Sequence, residues 1–255
     1  MTYTVASDFH QNVAALDYIF ENYADTQIVL LGDFFDTHDE KSVSDARDMA
    51  DHLIQHWHAA DVKPIIVTGN HDQFIIGSAF MDDLEFQTWM INGGKQTLRQ
   101  LGYRGAKSLY QVSDFLNTRY PDLLAVLKSG RYIVDEPNIV FVHAGLDWDT
   151  ADPIQDTAPD IATWIREGYL FESPEAHSRP HYNPTGKTIV SGHTPIQNFS
   201  RDKDDIWVMH HADDLPGVNR YLIDGGAGTG EPNAHVNIVQ FDDYGRLISQ
   251  EAFGL

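Results

Sequence analysis

The 255-residue chain contains no cysteine. That absence removes disulfides, thiolate nucleophiles and thiolate metal sites together, so any bound metal must draw its ligands from histidine, carboxylate or amide groups. Basic residues are scarce as well: 17 lysines and arginines stand against 38 acids, a formal charge of −21. Such a charge repels polyanions over much of the surface, which excludes a general nucleic-acid binder or a protein held to an anionic membrane. No apolar run approaches the ~20 residues of a membrane-spanning helix. The first residues, Met1-Thr2-Tyr3-Thr4-Val5-Ala6-Ser7-Asp8, lack the basic stretch and apolar segment of a secretory leader. A cytoplasmic protein is therefore expected. Hydrophobic content of 42% and charged content of 22% are ordinary for a globular chain and exclude disordered, collagenous and coiled-coil classes.

The first 70 residues alternate between two periods. Short β-rich runs at Tyr3–Ala6, Ile28–Leu31 and Pro64–Thr68 are separated by amphipathic helical patterns at Val13–Tyr23 and Ser42–Trp57. This βαβαβ pattern predicts neighbouring parallel strands whose C-terminal ends line one edge. Residues 80–130 read as mostly helical, interrupted at Asn92-Gly93-Gly94 and Gly102. Further strands are predicted at Tyr132–Val134, Ile139–Val142, Thr188–Val190, Ile206–Met209, Tyr221–Ile223 and Val236–Phe241, with an irregular Pro-containing stretch over 147–186. Repeats and low-complexity tracts are absent. One α/β domain over 1–255 with two insertions, at about 80–130 and about 147–186, is the simplest organisation.

Five segments place metal-ligand side chains at or just past the end of an apolar run: Asp8-Phe9-His10, Gly32-Asp33-Phe34-Phe35-Asp36, Gly69-Asn70-His71-Asp72, His143-Ala144-Gly145 and Gly192-His193-Thr194-Pro195. In extended chain Asp8 and His10 face the same way and can share one ion. Each segment alone has an ordinary structural reading, as a capping aspartate, a turn or a satisfied histidine. All five in order point instead to a two-metal site, and a donor set of His, Asp and Asn without sulfur suits Mn, Fe or Zn.

These motifs resemble the calcineurin-like metallophosphoesterases, and among them the phosphoprotein phosphatase branch, whose signature runs Asp-x-His, Gly-Asp-x-x-Asp, Gly-Asn-His-[Glu/Asp], His and Gly-His. Thr194-Pro195 after Gly192-His193 is the form of that branch. Trp89–Gly94, Trp164-Ile165-Arg166 and Tyr221–Ala227 are similar to its bacterial and phage members. The resemblance implies a four-layer α/β/β/α sandwich. It also implies two divalent metal ions, with Mn favoured: Asp8 and His10 hold one, Asn70, His143 and His193 the other, and Asp33 bridges them. His71 is then the general acid, held by Asp36, and Arg166 grips the phosphoryl group.

Physical chemistry suits these assignments. Two cations roughly 3.5–4 Å apart clamp the attacking and leaving oxygens and make hydroxide available near neutral pH. A histidine beside a carboxylate is a suitable proton donor to the leaving alkoxide, and the guanidinium fork matches phosphate oxygens. One departure stands out. The family's Arg-Gly after Gly-Asp-x-x-Asp is replaced by Thr37, His38 and Asp39, so His38, Arg166 or a less tightly clamped substrate must make up for the missing arginine.

The expected reaction is phosphoester hydrolysis by metal-activated hydroxide. Phosphoserine or phosphothreonine proteins are the first-ranked substrates, and nucleotides such as symmetrical dinucleoside tetraphosphates the second. A non-catalytic phospho-binding module is disfavoured because it would need neither His71 nor Asp36. Phe9, Phe34 and Phe35 read as packing, His52, His56 and His58 as the solvent face of a helix, His210-His211 as a strand end, and Gly225–Gly230 as a turn.

Overall fold

The computed structural model of the chain describes residues 1–37, 44–106, 108–173, 179–199 and 206–254. His38 lies outside these residues.

The first half runs β1 (Thr2–Ala6), α1 (Val13–Asn22), β2 (Gln27–Leu30), α2 (Ala46–Ala59), β3 (Ile65–Ile66), then helices α3 (Asn70–Ala79), α4 (Asp83–Ile91), α5 (Gly94–Gln100), α6 (Leu109–Arg119) and α7 (Pro121–Lys128). The second half runs β4 (Ile133–Asp135), β5 (Ile139–Val142), three short helices α8 (Pro153–Asp156), α9 (Pro159–Trp164) and α10 (Glu167–Leu170), then β6 (Thr188–Ser191), β7 (Trp207–Met209), β8 (Arg220–Leu222), β9 (His235–Asp242) and β10 (Leu247–Gly254). Two five-stranded mixed sheets result, ordered β10-β9-β1-β2-β3 and β4-β5-β6-β8-β7.

Strand alternation builds the layers. On β1 and β2, Tyr3, Val5 and Val29, with Leu31 just past the end of β2, face the second sheet and meet Ile139, Phe141, Val190 and Tyr221 in a shared core. Their alternates Ala6, Ile28 and Leu30 face the other way, onto α1–α7. On the second sheet the alternates Val140, Val142, Ile189 and Leu222 pack under Leu146, Ala162, Tyr169 and Phe171. Because both faces of the central strands are covered, the strands are buried on both sides and mostly apolar, as in parallel sheets. The result is the expected four-layer sandwich.

Caps set the helix boundaries. Asp45 accepts from the Arg47 and Asp48 amides at 2.8 and 3.1 Å and starts α2 four residues later than the periodicity alone suggests. Asp82 and Ser108 cap α4 and α6 in the same way. Pro153 and Pro159 open α8 and α9, so the stretch expected to be irregular holds three short helices whose first turns tolerate proline. The final strand β10 was not expected. Its side chains are mostly exposed, leaving little apolar signal, and it is held by antiparallel pairing to β9.

Candidate active site

Parallel pairing of β1 with β2 and of β2 with β3 brings the ends of those strands together, and the parallel run β5-β6-β8 does the same in the second sheet. The loops that follow carry nearly every predicted residue. Asp8 (φ 54°), His10 (φ 41°), Asp33 (φ 55°), Asp36 (φ 65°) and His193 (φ 67°) all adopt left-handed backbone. The expectation that Asp8 and His10 sit on extended chain is thereby corrected: a left-handed turn, not strand alternation, aims both inward. Left-handed conformations at non-glycine residues cost about 1–3 kcal/mol each and gather at functional sites.

Tight backbone approach is a second requirement. A Cβ on Gly192 would overlap Ser7 Oγ and Asp8 Oδ2, and one on Gly69 would overlap the Asp33 carboxylate. Glycine at these positions lets the loops close around the site. Asp72 clamps them further: its Oδ2 accepts from the Asp33 and Gly69 amides at 2.9 and 3.0 Å, and its Oδ1 from the Phe34 amide at 3.3 Å. Burial and the Asp33 charge outweigh these donors and push the Asp72 carboxyl up to about 7.

Two groups of donor atoms share one carboxylate. Asp8, His10 and Asp33 form one group; Asp33, His143 and His193 form the other; within each, the ligand atoms lie within 4.8 Å of one another. His10 Nε2 is 3.9 Å and His143 Nε2 3.3 Å from Asp33 Oδ2. Asn70 Oδ1 joins the second group, 3.2 Å from His143 Nε2. Outer hydrogen bonds orient the ligands: His10 Nδ1 donates to Phe35 O at 2.8 Å, and His143 Nδ1 to Leu31 O at 2.6 Å, which frees each Nε2 as a lone pair. Asp8 Oδ2 accepts from the His193 amide at 3.0 Å.

Protein charges alone show what the site demands. Burial, with His143 and Arg166 nearby, drives His193 well below its ordinary value; its buried Nε2 has no hydrogen-bond partner among the described residues. A neutral, buried, unpartnered imidazole nitrogen aimed at Asp33 and His143 is costly unless a cation meets it. At His143 burial favours the neutral form, but Asp33 and Asp8 prevail and raise it to about 10, so these carboxylates call for positive charge there, proton or metal. Asp33 is held well below the usual carboxylate range, because His143 and His71 outweigh its burial. The residues fit a dinuclear metal centre.

His71 lies beside this centre. Its amide donates to Asp33 Oδ1 at 2.9 Å, and its Nδ1 donates to Asp36 Oδ2 at 2.9 Å, leaving Nε2 for the cavity. Burial opposes its protonation, but Asp33 and Asp36 raise it to about 9. Asp36 is in turn fixed by Trp89 Nε1 at 2.8 Å and by Thr97 Oγ1. A cavity of about 220 Å³ covers the group, lined by His10, Asp33, Asn70, His71, Arg166 and His193 among others. Arg166 Nη1 is braced by His193 O at 2.9 Å and Thr194 Oγ1 at 3.1 Å. Thr37, by contrast, is buried and does not line the cavity.

Sequence reasoning missed the roles of four residues. Trp89 and Thr97 brace Asp36, Asp72 ties the loops, and Asp224 adds a buried carboxyl to the cavity wall, pushed well above its ordinary value by burial and by Asp8. Trp89 and Asp224 lie in strings that the sequence reading singled out, whereas Thr97 sits within a helix with no motif around it. Phe9, Phe34 and Phe35 are fully buried, as expected of packing residues.

The family model described as "Calcineurin-like phosphoesterase" matches residues 1–222. No curated relative matches the chain. Among solved structures, a protein serine/threonine phosphatase from Saccharomyces cerevisiae with similarity to human phosphatase PP5 superposes with a TM-score of 0.53 at 11% identity, covering 100% of this chain and 80% of the other. A metallophosphoesterase from Sphaerobacter thermophilus gives a TM-score of 0.49 at 17% identity, with 99% and 88% covered. At such identities the yeast structure speaks to fold alone.

Proposed function

The chain belongs to the calcineurin-like phosphoesterase family, and on the premise that it is a metal-dependent phosphoester hydrolase we propose that it is a serine/threonine protein phosphatase. The observation that carries this reading is the pair of donor groups joined through Asp33, with His71 and its Asp36 partner facing the same cavity.

In this reading Asp8, His10 and Asp33 would hold one divalent cation, and Asn70, His143 and His193, with Asp33, would hold the other. Cations so placed supply Lewis-acid activation of water and neutralise the phosphoryl oxygens, as Mn, Fe or Zn can do. Arg166 presents its guanidinium to the phosphoryl group, its position set by His193 O and Thr194. His71 protonates the leaving oxygen from Nε2 while Asp36 keeps the other ring nitrogen engaged. Arg166 thus takes over clamping that the family assigns to the arginine absent after Asp36.

The dimensions of the cavity support a phosphorylated side chain. About 220 Å³ accommodates a phosphoryl group and the first atoms of its alcohol. Phe9, Phe34 and Phe35 are fully buried and offer a nucleobase no face, whereas the partly exposed Trp164 in the cavity wall does. A panel of phosphoserine and phosphothreonine peptides, nucleotides and dinucleoside tetraphosphates, assayed with added Mn, tests the proposal. The phosphopeptides are expected to have the highest kcat/KM, chelation to abolish turnover and Mn to restore it. Asp33→Asn is expected to be the most damaging ligand change, since it weakens both cation positions. A higher kcat/KM for dinucleoside tetraphosphates would overturn the substrate class, and full turnover after chelation the metal assignment.

A further inference from the structure

Three side chains outside the catalytic cavity converge between the first two helices. Asp17 projects from α1; His52 and His56 project from α2 one turn apart, hence on one helix face. Asp17 Oδ1 accepts from His52 Nδ1 at 2.8 Å and from His56 Nε2 at 2.6 Å. Neither histidine simply decorates a solvent face, as the helical pattern suggests. The His56 ring lies flat on Phe20, with centroids 4.4 Å apart and planes 3° from parallel, and that stacking fixes the direction of its Nε2.

We propose that Asp17, His52 and His56 form a second kind of metal site, one that takes a Zn(II)-class cation and clips α1 to α2. The donor set is two imidazole nitrogens and one carboxylate oxygen, with all three ligand atoms within 4.8 Å of one another. Tetrahedral coordination with bonds of about 2.0–2.2 Å spaces ligand atoms about 3.3 Å apart. The two Asp17–histidine separations therefore need to open by only about 0.5–0.7 Å, within reach of half-buried side chains. In the neutral rings the proton can move to His52 Nε2 and His56 Nδ1, neither of which is hydrogen-bonded to protein among the described residues. Each nitrogen facing Asp17 then offers a lone pair, and water completes the fourth position.

Ligand chemistry sets the selectivity. Nitrogen-rich sites without thiolate follow the order Mn < Fe < Co < Ni < Cu > Zn, so this site favours Zn, Ni or Cu and leaves Mn largely unbound. Its position sets the consequence. α1 follows the loop that carries Asp8 and His10, and α2 follows the stretch after Asp36. A cation bound only by the folded pair of helices stabilises that half of the sandwich by mass action.

The test compares the full chain with His52→Gln and Asp17→Asn, two variants that leave the Phe20–His56 stack in place. Zn content after equilibrium dialysis is expected to be one equivalent lower in each variant than in the wild type, whatever the catalytic loops hold. Zn added to Mn-loaded protein is expected to raise Tm by several degrees more in the wild type than in either variant, since exchange at the catalytic loops is common to all three. Hydrolysis of an aryl phosphate with Mn alone is expected to be the same in all three. Equal Zn content in wild type and variants, or an equal Tm gain in all three, overturns the site.

Discussion

His71 is surrounded by groups that favour its charged form. Asp33 and Asp36 overcome the cost of burial and raise it to about 9, and cations bound at the proposed ligands would pull it down again. A general acid must hold its proton to act, so activity falls as pH rises through this value. For an alkyl phosphate monoester, kcat is expected to show an alkaline limb at or below about pH 9. Asp36→Asn removes a charge that supports the proton and is expected to move that limb to lower pH. His71→Asn is expected to keep its metal content and lose on the order of 10²–10⁴ in turnover of alkyl phosphates, and less with nitrophenyl phosphate, whose leaving group needs no proton. Equal losses on both substrates would remove His71 from the acid role. Arg166→Ala is expected to weaken inhibition by inorganic phosphate by about 10–150-fold, from about 1.5–3 kcal/mol for a charged hydrogen bond, with metal content unchanged by elemental analysis.

The loops between elements carry the geometry, and Asp72 is their common anchor. It sits in the first turn of α3 and accepts from three amides on two loops. Asp72→Ala leaves those buried donors unpaired, a loss of about 2–4 kcal/mol. Tm is expected to fall by about 5–15 °C in thermal unfolding, and Mn affinity to fall with it because Asp33 and Gly69 lose their anchor. An unchanged Tm would show that other contacts hold the loops. Helices and strands were legible where burial imposed a period: β1, β2, β5 and β6 alternate between two apolar layers, and α4 to α7 carry caps and glycine breaks. The exposed β10 imposed no such period.

Net charge acts on the molecule as a whole. At −21 the protein repels anionic substrates at long range, and salt screens that repulsion over roughly 8–10 Å at physiological strength. Raising ionic strength from about 10 to 150 mM is therefore expected to increase kcat/KM for an acidic phosphopeptide and to decrease it for a basic one. Identical salt dependence for the two peptides would confine recognition to the cavity itself.

The order of ligand types along the chain was enough to bring Asp8, His10, Asp33, Asn70, His143 and His193 to notice, because strand ends in a βαβ arrangement share one edge. Side-chain chemistry named the donors, and strand periodicity placed them. What periodicity does not encode is direction at a loop, and there the folded chain decided. Left-handed turns aimed Asp8 and His10 where strand alternation was expected to. Contacts across long sequence separations also lay beyond a local reading: Trp89 and Thr97 meet Asp36 from 53 and 61 residues away, and Asp17 meets His52 and His56 from 35 and 39. A hydrogen bond of that kind depends on how helices pack over a sheet, and helix packing is a property of the assembled layers, set only when both apolar faces are buried at once.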